Sequence, residues 1–278
     1  MGFTPTHLFQ KENVIIVEAV IVFLFGLLFG SFANVCIYRF PRNESIIFPA
    51  SHCPACNNPI PWYDNIPVLS FILLRGKCRS CRQSISWRYP LVELVTGILF
   101  SALYLKYHFT FYFWMYALVS LALVVITFVD LQEQIIPDEL SYGLMAAGTV
   151  FSFFNNDLYL QVIFYFPPVL NRLVASYVGL LIGGGILYFI AWISRGGMGG
   201  GDIKLAAGLG TFLGWENTLM MLGLSFLFGG VVGVVLLLSG KKKRKDPIPF
   251  GPFIAAATIV VILFNDQLTA LLTKYFIF

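Results

Sequence analysis

Residues 14–37 read VIIVEAVIVFLFGLLFGSFANVCI, and Glu18 is the only charged residue among them. At about 1.5 Å per residue, a helix of this run outreaches the roughly 30 Å hydrocarbon core of a bilayer. It is also longer than the apolar part of a cleaved secretion signal, and no small-residue cleavage site follows it. The run therefore predicts a retained membrane-spanning helix and sets the solvent for everything around it.

Further apolar runs fall at 91–106, 109–129, 139–154, 173–193, 203–214, 217–239 and 251–264, which makes eight. The stretch 203–214 is short for a span and is expected to be partly buried in protein. The stretch 158–170 holds Pro167-Pro168 and reads as interfacial. No internal repeat is evident. The chain has 278 residues, of which 58% are hydrophobic and 12% charged, and its mean hydropathy is +0.80. Soluble domains carry roughly 25% charged residues, so a water-soluble globule is excluded. The expected fold class is an all-α polytopic membrane protein of about eight transmembrane helices with a small cytoplasmic four-cysteine metal-binding domain. The expected domains are the first transmembrane helix at 1–38, the metal domain at 39–90 and a transmembrane catalytic domain at 91–278.

The distribution of charge orients this layout. With the segment after the first helix on the cytoplasmic side, 14 of the 18 Lys and Arg residues share that face. Only Lys11, Lys106, Arg172 and Lys274 lie on the other face, as the positive-inside rule requires. The run Lys241–Lys245 beside a spanning helix reads as a topology signal or a contact to anionic lipid, and no nucleic-acid partner is expected.

Residues 38–90 form the one long polar stretch. They contain Cys53-Pro-Ala-Cys56 and Cys78-Arg-Ser-Cys81, separated by 21 residues. Each CxxC turn presents two thiolates, and two such turns complete a tetrahedral site for zinc or another thiophilic metal. The competing reading is two redox pairs. Four thiolates leave no open coordination position, so the metal would be structural, and in a segment with so little core it would supply folding energy. Reduced thiols suit a reducing compartment.

Acidic residues inside apolar surroundings are costly and mark function. Asp130 ends the third apolar run in Thr127-Phe-Val-Asp130, and Asp202 follows the glycine-rich Gly196–Gly201. Two carboxylates meeting at one membrane depth can share a proton and activate water. The plainer alternatives are a helix N-cap for Asp202 or Asp138 and a snorkelling boundary residue for Asp130. Glu93, at the start of the second helix, sits where a helix dipole favours an acid in any case. Gly199 and Gly201 permit close backbone approach.

Several segments together resemble the type IV prepilin peptidases. They are Gly30–Arg39, the two CxxC pairs, Pro61–Pro67, Ser84–Glu93, Phe128-Val-Asp130 followed by Ile136-Pro-Asp138, Gly199-Gly-Gly-Asp202-Ile-Lys204, and Pro249-Phe-Gly-Pro-Phe253. The resemblance spans about residues 22–255. It implies an inner-membrane, multi-pass aspartyl protease of the GxGD type with its active site on the cytoplasmic side. Such an enzyme removes the short basic leader of prepilins or pseudopilins of pilus and type II secretion systems, and methylates the new N-terminus with S-adenosylmethionine. Carried over by motif, Asp130 and Asp202 are catalytic. Cys53, Cys56, Cys78 and Cys81 are metal ligands, and Gly199, Gly201, Asp138 and Glu93 support the site. With both CxxC pairs present, the chain is unlike the shortened members that lack the metal domain. The residues that hold S-adenosylmethionine are not legible, since no GxGxxG follows a strand. A homo-oligomer is compatible with the sequence.

Two readings from other classes compete. A proton-coupled transporter using Asp130 and Asp202 predicts acids near mid-membrane on broken helices. A membrane scaffold for the metal domain predicts that neither aspartate matters. For the peptidase, a basic leader calls for an acidic reception surface, and Glu44, Asp64, Glu133 and Glu139 are the candidates.

Overall fold

The computed structural model describes residues 5–159, 167–243 and 246–276. It contains helices α1 (Pro5–Arg39), α2 (Leu69–Leu73), α3 (Arg88–Tyr107), α4 (Phe111–Glu133), α5 (Asp138–Ser152), α6 (Pro168–Ile193), α7 (Gly200–Leu238) and α8 (Gly251–Phe276). No strand occurs among the described residues. Six of these helices (α1, α3, α4, α6, α7 and α8) are long and apolar enough to cross a membrane. The interfacial reading of 158–170 falls largely on 160–166, outside the described residues, as do Arg244 and Lys245.

The chain divides into two compact units, Met1–Val125 and Ile126–Phe278. The expected boundaries at 38 and 90 differ from this division, because α3 packs antiparallel against α1. The contacts step regularly along both helices. Asn34 Nδ2 donates to the Tyr89 carbonyl at 3.0 Å, Gly30 abuts Glu93 and Gly26 abuts Gly97, and Ser101 Oγ donates to the Ala19 carbonyl at 3.0 Å. Glu18, which has no evident role in the sequence, accepts the Tyr104 hydroxyl. Lipid gives helices no hydrophobic reason to associate, so close approach at small residues and hydrogen bonds between helices hold them.

In the second unit α7 is not one rod. Gly214 has φ 69° and ψ −178°, in the left-handed half of backbone space that favours glycine. A Cβ on Gly183 would lie 2.9 Å from the Ala206 carbonyl carbon and 3.3 Å from Thr218 Cγ2. A straight helix would part Ala206 and Thr218 by about 18 Å, so the chain folds back at Gly214. The two expected runs, 203–214 and 217–239, are the two limbs of this hairpin. Together with the 15-residue α5, which is too short to count as a span, they account for all eight apolar runs. The first limb sits between α5 and α6. Gly208 meets the Ser141 carbonyl, Gly179 lies against Gly210, and Ser176 Oγ donates to the Thr211 carbonyl at 2.8 Å.

Candidate functional site

In the second unit α4 ends at a left-handed residue. Gln134 has φ 53°, and its N–H bonds back to the Asp130 carbonyl at 3.0 Å, an αL termination. That termination sends residues 134–137 back across the helix end and leaves Asp130 in the last turn. Asp202 is the third residue of α7, with Gly199 as N-cap. Both carboxylates are buried, Asp130 at 5% exposure and Asp202 at 9%.

One side chain brings the two carriers together. A Cβ on Gly201 would lie 2.9 Å from Ile136 Cβ, and a Cβ on Gly251 would lie 3.1 Å from Ile136 Cδ1. Ile136 thus wedges between the starts of α7 and α8. Gly251, in turn, donates its N–H to Asp130 Oδ2 at 3.0 Å. Asp202 lies within electrostatic reach of Asp130, and the Gly199 N–H faces its carboxylate. An N3 acid reaching back to the N-cap amide resembles half of a capping box. Asp202 is therefore not the plain N-cap of α7, a position that Gly199 fills. Both acids sit at helix ends and not at mid-helix, which counts against the transporter reading.

The other expected residues fall as follows. Asp138 is the first residue of α5, with Pro137 as N-cap, and its carboxylate pairs with Lys204 Nζ at 2.7 and 2.8 Å. It thereby clamps the start of α5 to the start of α7, two residues from Asp202. Glu133 and Glu139 are exposed beside this site. Glu93 belongs to the first unit, where its Oε2 accepts the Val68 N–H at 2.7 Å. Asp64 is already paired within the first unit. Arg79 grips it with two bonds of 2.7 and 2.6 Å, and that guanidinium holds its carboxyl below the ordinary range. Sequence reasoning placed Ile136 and Gly251 in motif blocks but gave neither a role. The available signal was a glycine flanked by Phe250 and Pro252 at the start of an apolar run.

The first unit gathers the four cysteines. Their sulfurs all lie within 4.8 Å of one another, and Cys53 Sγ and Cys81 Sγ are 3.9 Å apart. A tetrahedron with metal–sulfur bonds of about 2.3 Å has edges of about 3.8 Å, so the donor set fits one thiophilic ion. The two turns repeat each other at an offset of 25 residues, a duplication not evident in the sequence. Cys53 N–H bonds to the Asn58 carbonyl and Cys78 N–H to the Gln83 carbonyl, while Asn57 and Arg82 close the turns onto the Cys53 and Cys78 carbonyls. Asn57 and Arg82 both have positive φ, at 54° and 60°. The flanking bridges His52–Pro59 and Lys77–Ser84 obey the same offset. Backbone N–H groups of Cys81 and Ser80 lower the Cys78 thiol from its ordinary range.

Comparison with known proteins agrees with this layout. Residues 24–107 match the Bacterial Peptidase A24 N-terminal domain, and residues 117–234 match the Type IV leader peptidase family. The chain is 34% identical over 279 residues to the prepilin leader peptidase/N-methyltransferase of Aeromonas salmonicida, covering 90% of this chain and 91% of the relative. It is 33% identical over 262 residues to that of Bacillus subtilis, covering 91% and 97%. It is 39% identical over 225 residues to that of Myxococcus xanthus, covering 80% and 64%. No solved structure matches to a significant degree. The family matches and the full-length identities agree with the motif order and the helical fold, and the chain belongs to the type IV prepilin leader peptidase family.

Proposed function

We propose that this multi-pass membrane protein is an aspartic endopeptidase that removes the leader of prepilins or pseudopilins at the cytoplasmic face of the inner membrane, and then N-methylates the new N-terminus. The observation that carries the reading is that buried Asp130 and Asp202 lie within electrostatic reach of each other, on helix ends that Ile136 spaces through Gly201 and Gly251, with Gly251 holding one oxygen of Asp130. A shared proton suits such a pair. The ionised member takes a proton from water, whose oxygen attacks the scissile carbonyl carbon. The protonated member gives its proton to the carbonyl oxygen. The tetrahedral intermediate then collapses, the C–N bond breaks, and the leaving nitrogen takes the proton first removed from water. The Gly251 amide fixes Asp130 Oδ2 and leaves Oδ1 for proton transfer. Burial excludes bulk water and strengthens these interactions.

Zinc is the metal that four thiolates in this geometry favour, and Cys53, Cys56, Cys78 and Cys81 would hold it as a structural ion. The family implies S-adenosylmethionine as methyl donor. Among the described residues, however, Gly196–Gly199 belong to the link between α6 and α7, and Gly200 and Gly201 open α7, with no strand before them. That run does not fit a dinucleotide-type glycine cradle, and no step is routed through the donor.

The test is the cleavage and N-terminal mass of a co-expressed prepilin. With Asp130→Asn or Asp202→Asn, processing is expected to fall roughly 10³-fold, within the range for loss of a general acid or base. Wild-type product should be heavier by one methylene than the bare N-terminus. Processing that survives either substitution in inserted protein sinks the catalytic assignment, and an unmethylated wild-type product sinks the transferase.

A further inference from the structure

The segment between α1 and α3 is polar in sequence, but its surface also carries large apolar side chains. Trp62, Phe48, Trp87, Ile47, Leu73 and Ile72 are between 63 and 80% exposed. Much of this apolar surface belongs to one body. The Phe71 and Trp87 rings lie 4.8 Å apart, and Ser70 Oγ donates to the Tyr63 carbonyl at 3.0 Å. These contacts bind α2, the turn at Trp62–Asp64 and Trp87 together.

The level of this body follows from one hydrogen bond. Val68 immediately precedes α2, and its N–H reaches Glu93 Oε2 at 2.7 Å. Glu93 lies five residues into α3, roughly 7.5 Å along its axis from Arg88. α2 therefore starts beside the second turn of a membrane-spanning helix, not beyond its end. At that level the chain leaves Leu69, Ile72 and Leu73 uncovered. Charge points the same way. Residues 39–90 carry seven Lys or Arg and two acids, a net of +5, and Arg75 and Lys77, which follow α2 closely in the chain, are exposed, as is Arg82.

We infer that α2, with Trp62 and Trp87, is an interfacial anchor that seats the cysteine unit in the headgroup–acyl boundary of an anionic lipid leaflet. Apolar residues with a basic rim lie in that boundary, aromatic rings settle at the headgroups, and Lys and Arg add attraction to anionic lipid. The segment is tethered at both ends to membrane-spanning helices, so it reaches the boundary without leaving its place. A surface for a protein partner would have no need to begin at the depth of Glu93.

The test uses the full chain, one copy per nanodisc, in mixed phosphatidylglycerol and phosphatidylcholine, with the photoreactive residue benzoylphenylalanine placed at position 73. The same residue at position 235, an exposed position on α7, serves as the positive control for lipid capture. Irradiation without any prepilin is expected to yield a lipid adduct on the peptide containing position 73, enriched in phosphatidylglycerol over its share of the disc. In an Arg75→Glu background that enrichment should fall roughly two-fold or more. Position 73 giving no lipid adduct while position 235 does overturns the inference. So does capture at position 73 that appears only as a protein adduct after prepilin is added. The readout needs no cleavage, so its result is independent of the peptidase reading.

Discussion

Cys53 with Cys56, and Cys78 with Cys81, are each brought together by a single turn, whereas Asp130, Asp202 and Gly251 come from three helices. The two centres solve one problem at different ranges. In the cysteine centre each half is local: a CxxC pair, a left-handed residue after it, and a backbone bond that closes the loop. The fold need only juxtapose two copies of one turn. In the carboxylate site no pair of functional groups is local, and the assembly depends on glycines that let Ile136 approach two helix starts. The first centre should therefore fail as a unit when its ion is removed, and the second should fail by degrees as its packing is altered.

The largest effect is expected at the metal. Structural zinc in small domains contributes apparent binding free energies of about 10–16 kcal/mol near neutral pH. Chelation should bring amide exchange across 43–86 near the unfolded rate while leaving helices α5 to α8 protected. Equal loss of protection in both would break the contrast between the two centres. Ligation needs thiolates, so the chelator concentration required should fall as pH is lowered.

Next comes Gly251→Ala. The new Cβ would lie 2.7 Å from Asp130 Oδ2, and displacing a reacting group by about 1 Å can cost roughly 10²-fold in rate. The loss should appear in kcat with KM little changed. A change confined to KM would mean that Gly251 serves substrate binding and not Asp130.

A smaller and more diagnostic effect is expected from a size swap. Gly201→Ala alone collides with Ile136 Cβ at 2.9 Å and should slow cleavage by about tenfold, roughly 1.4 kcal/mol. Ile136→Ala alone leaves a void between the two helix starts. The double variant should recover activity over Gly201→Ala, with a coupling of about 0.5–3 kcal/mol in a double-mutant cycle. Additive losses would show that Ile136 does not set the spacing of the two carriers.

The smallest effect concerns Asp64 and Arg79. Arg79 lowers the Asp64 pKa from its ordinary value of 3.8. The pair's contribution is therefore present above that value and lost as pH falls through the lower folded value. Exposed pairs contribute little, so Arg79→Gln should reduce protection of 62–82 only slightly at neutral pH. The difference should vanish in acid below the folded value. A difference that grew on acidification would reverse the assigned sign.

Much of this molecule was legible in one dimension. All eight apolar runs are helical, and the four cysteines gather as their spacing predicts. Asp130 and Asp202 occupy helix ends, as their places in the runs suggested. Other readings depended on partners distant in sequence. Asp64 looked available to a basic leader until Arg79, 15 residues away, engaged it. Glu93 accepts the N–H of Val68, 25 residues earlier, a bond its place at a helix start did not reveal. The two runs within α7 are separate helical limbs, as their break in the sequence suggested, and the short first limb is buried in protein, but the fold-back at Gly214 that pairs them is seen only in the structure.

Apolar length, charge asymmetry and ligand spacing are properties of neighbouring residues, and for this chain they settle membrane residence, helical class and the four-cysteine centre. The identity of the group that holds Asp130, the wedge between α7 and α8, and the depth of α2 beside α3 are contacts across 121, 65, 115 and 25 positions (Gly251 to Asp130, Gly201 and Gly251 to Ile136, Val68 to Glu93). They exist only after helices have packed to within a hydrogen bond or a methyl group of one another. Helix packing in lipid turns on close steric fit and hydrogen bonds between helices, and neither is a property of the residues' order alone.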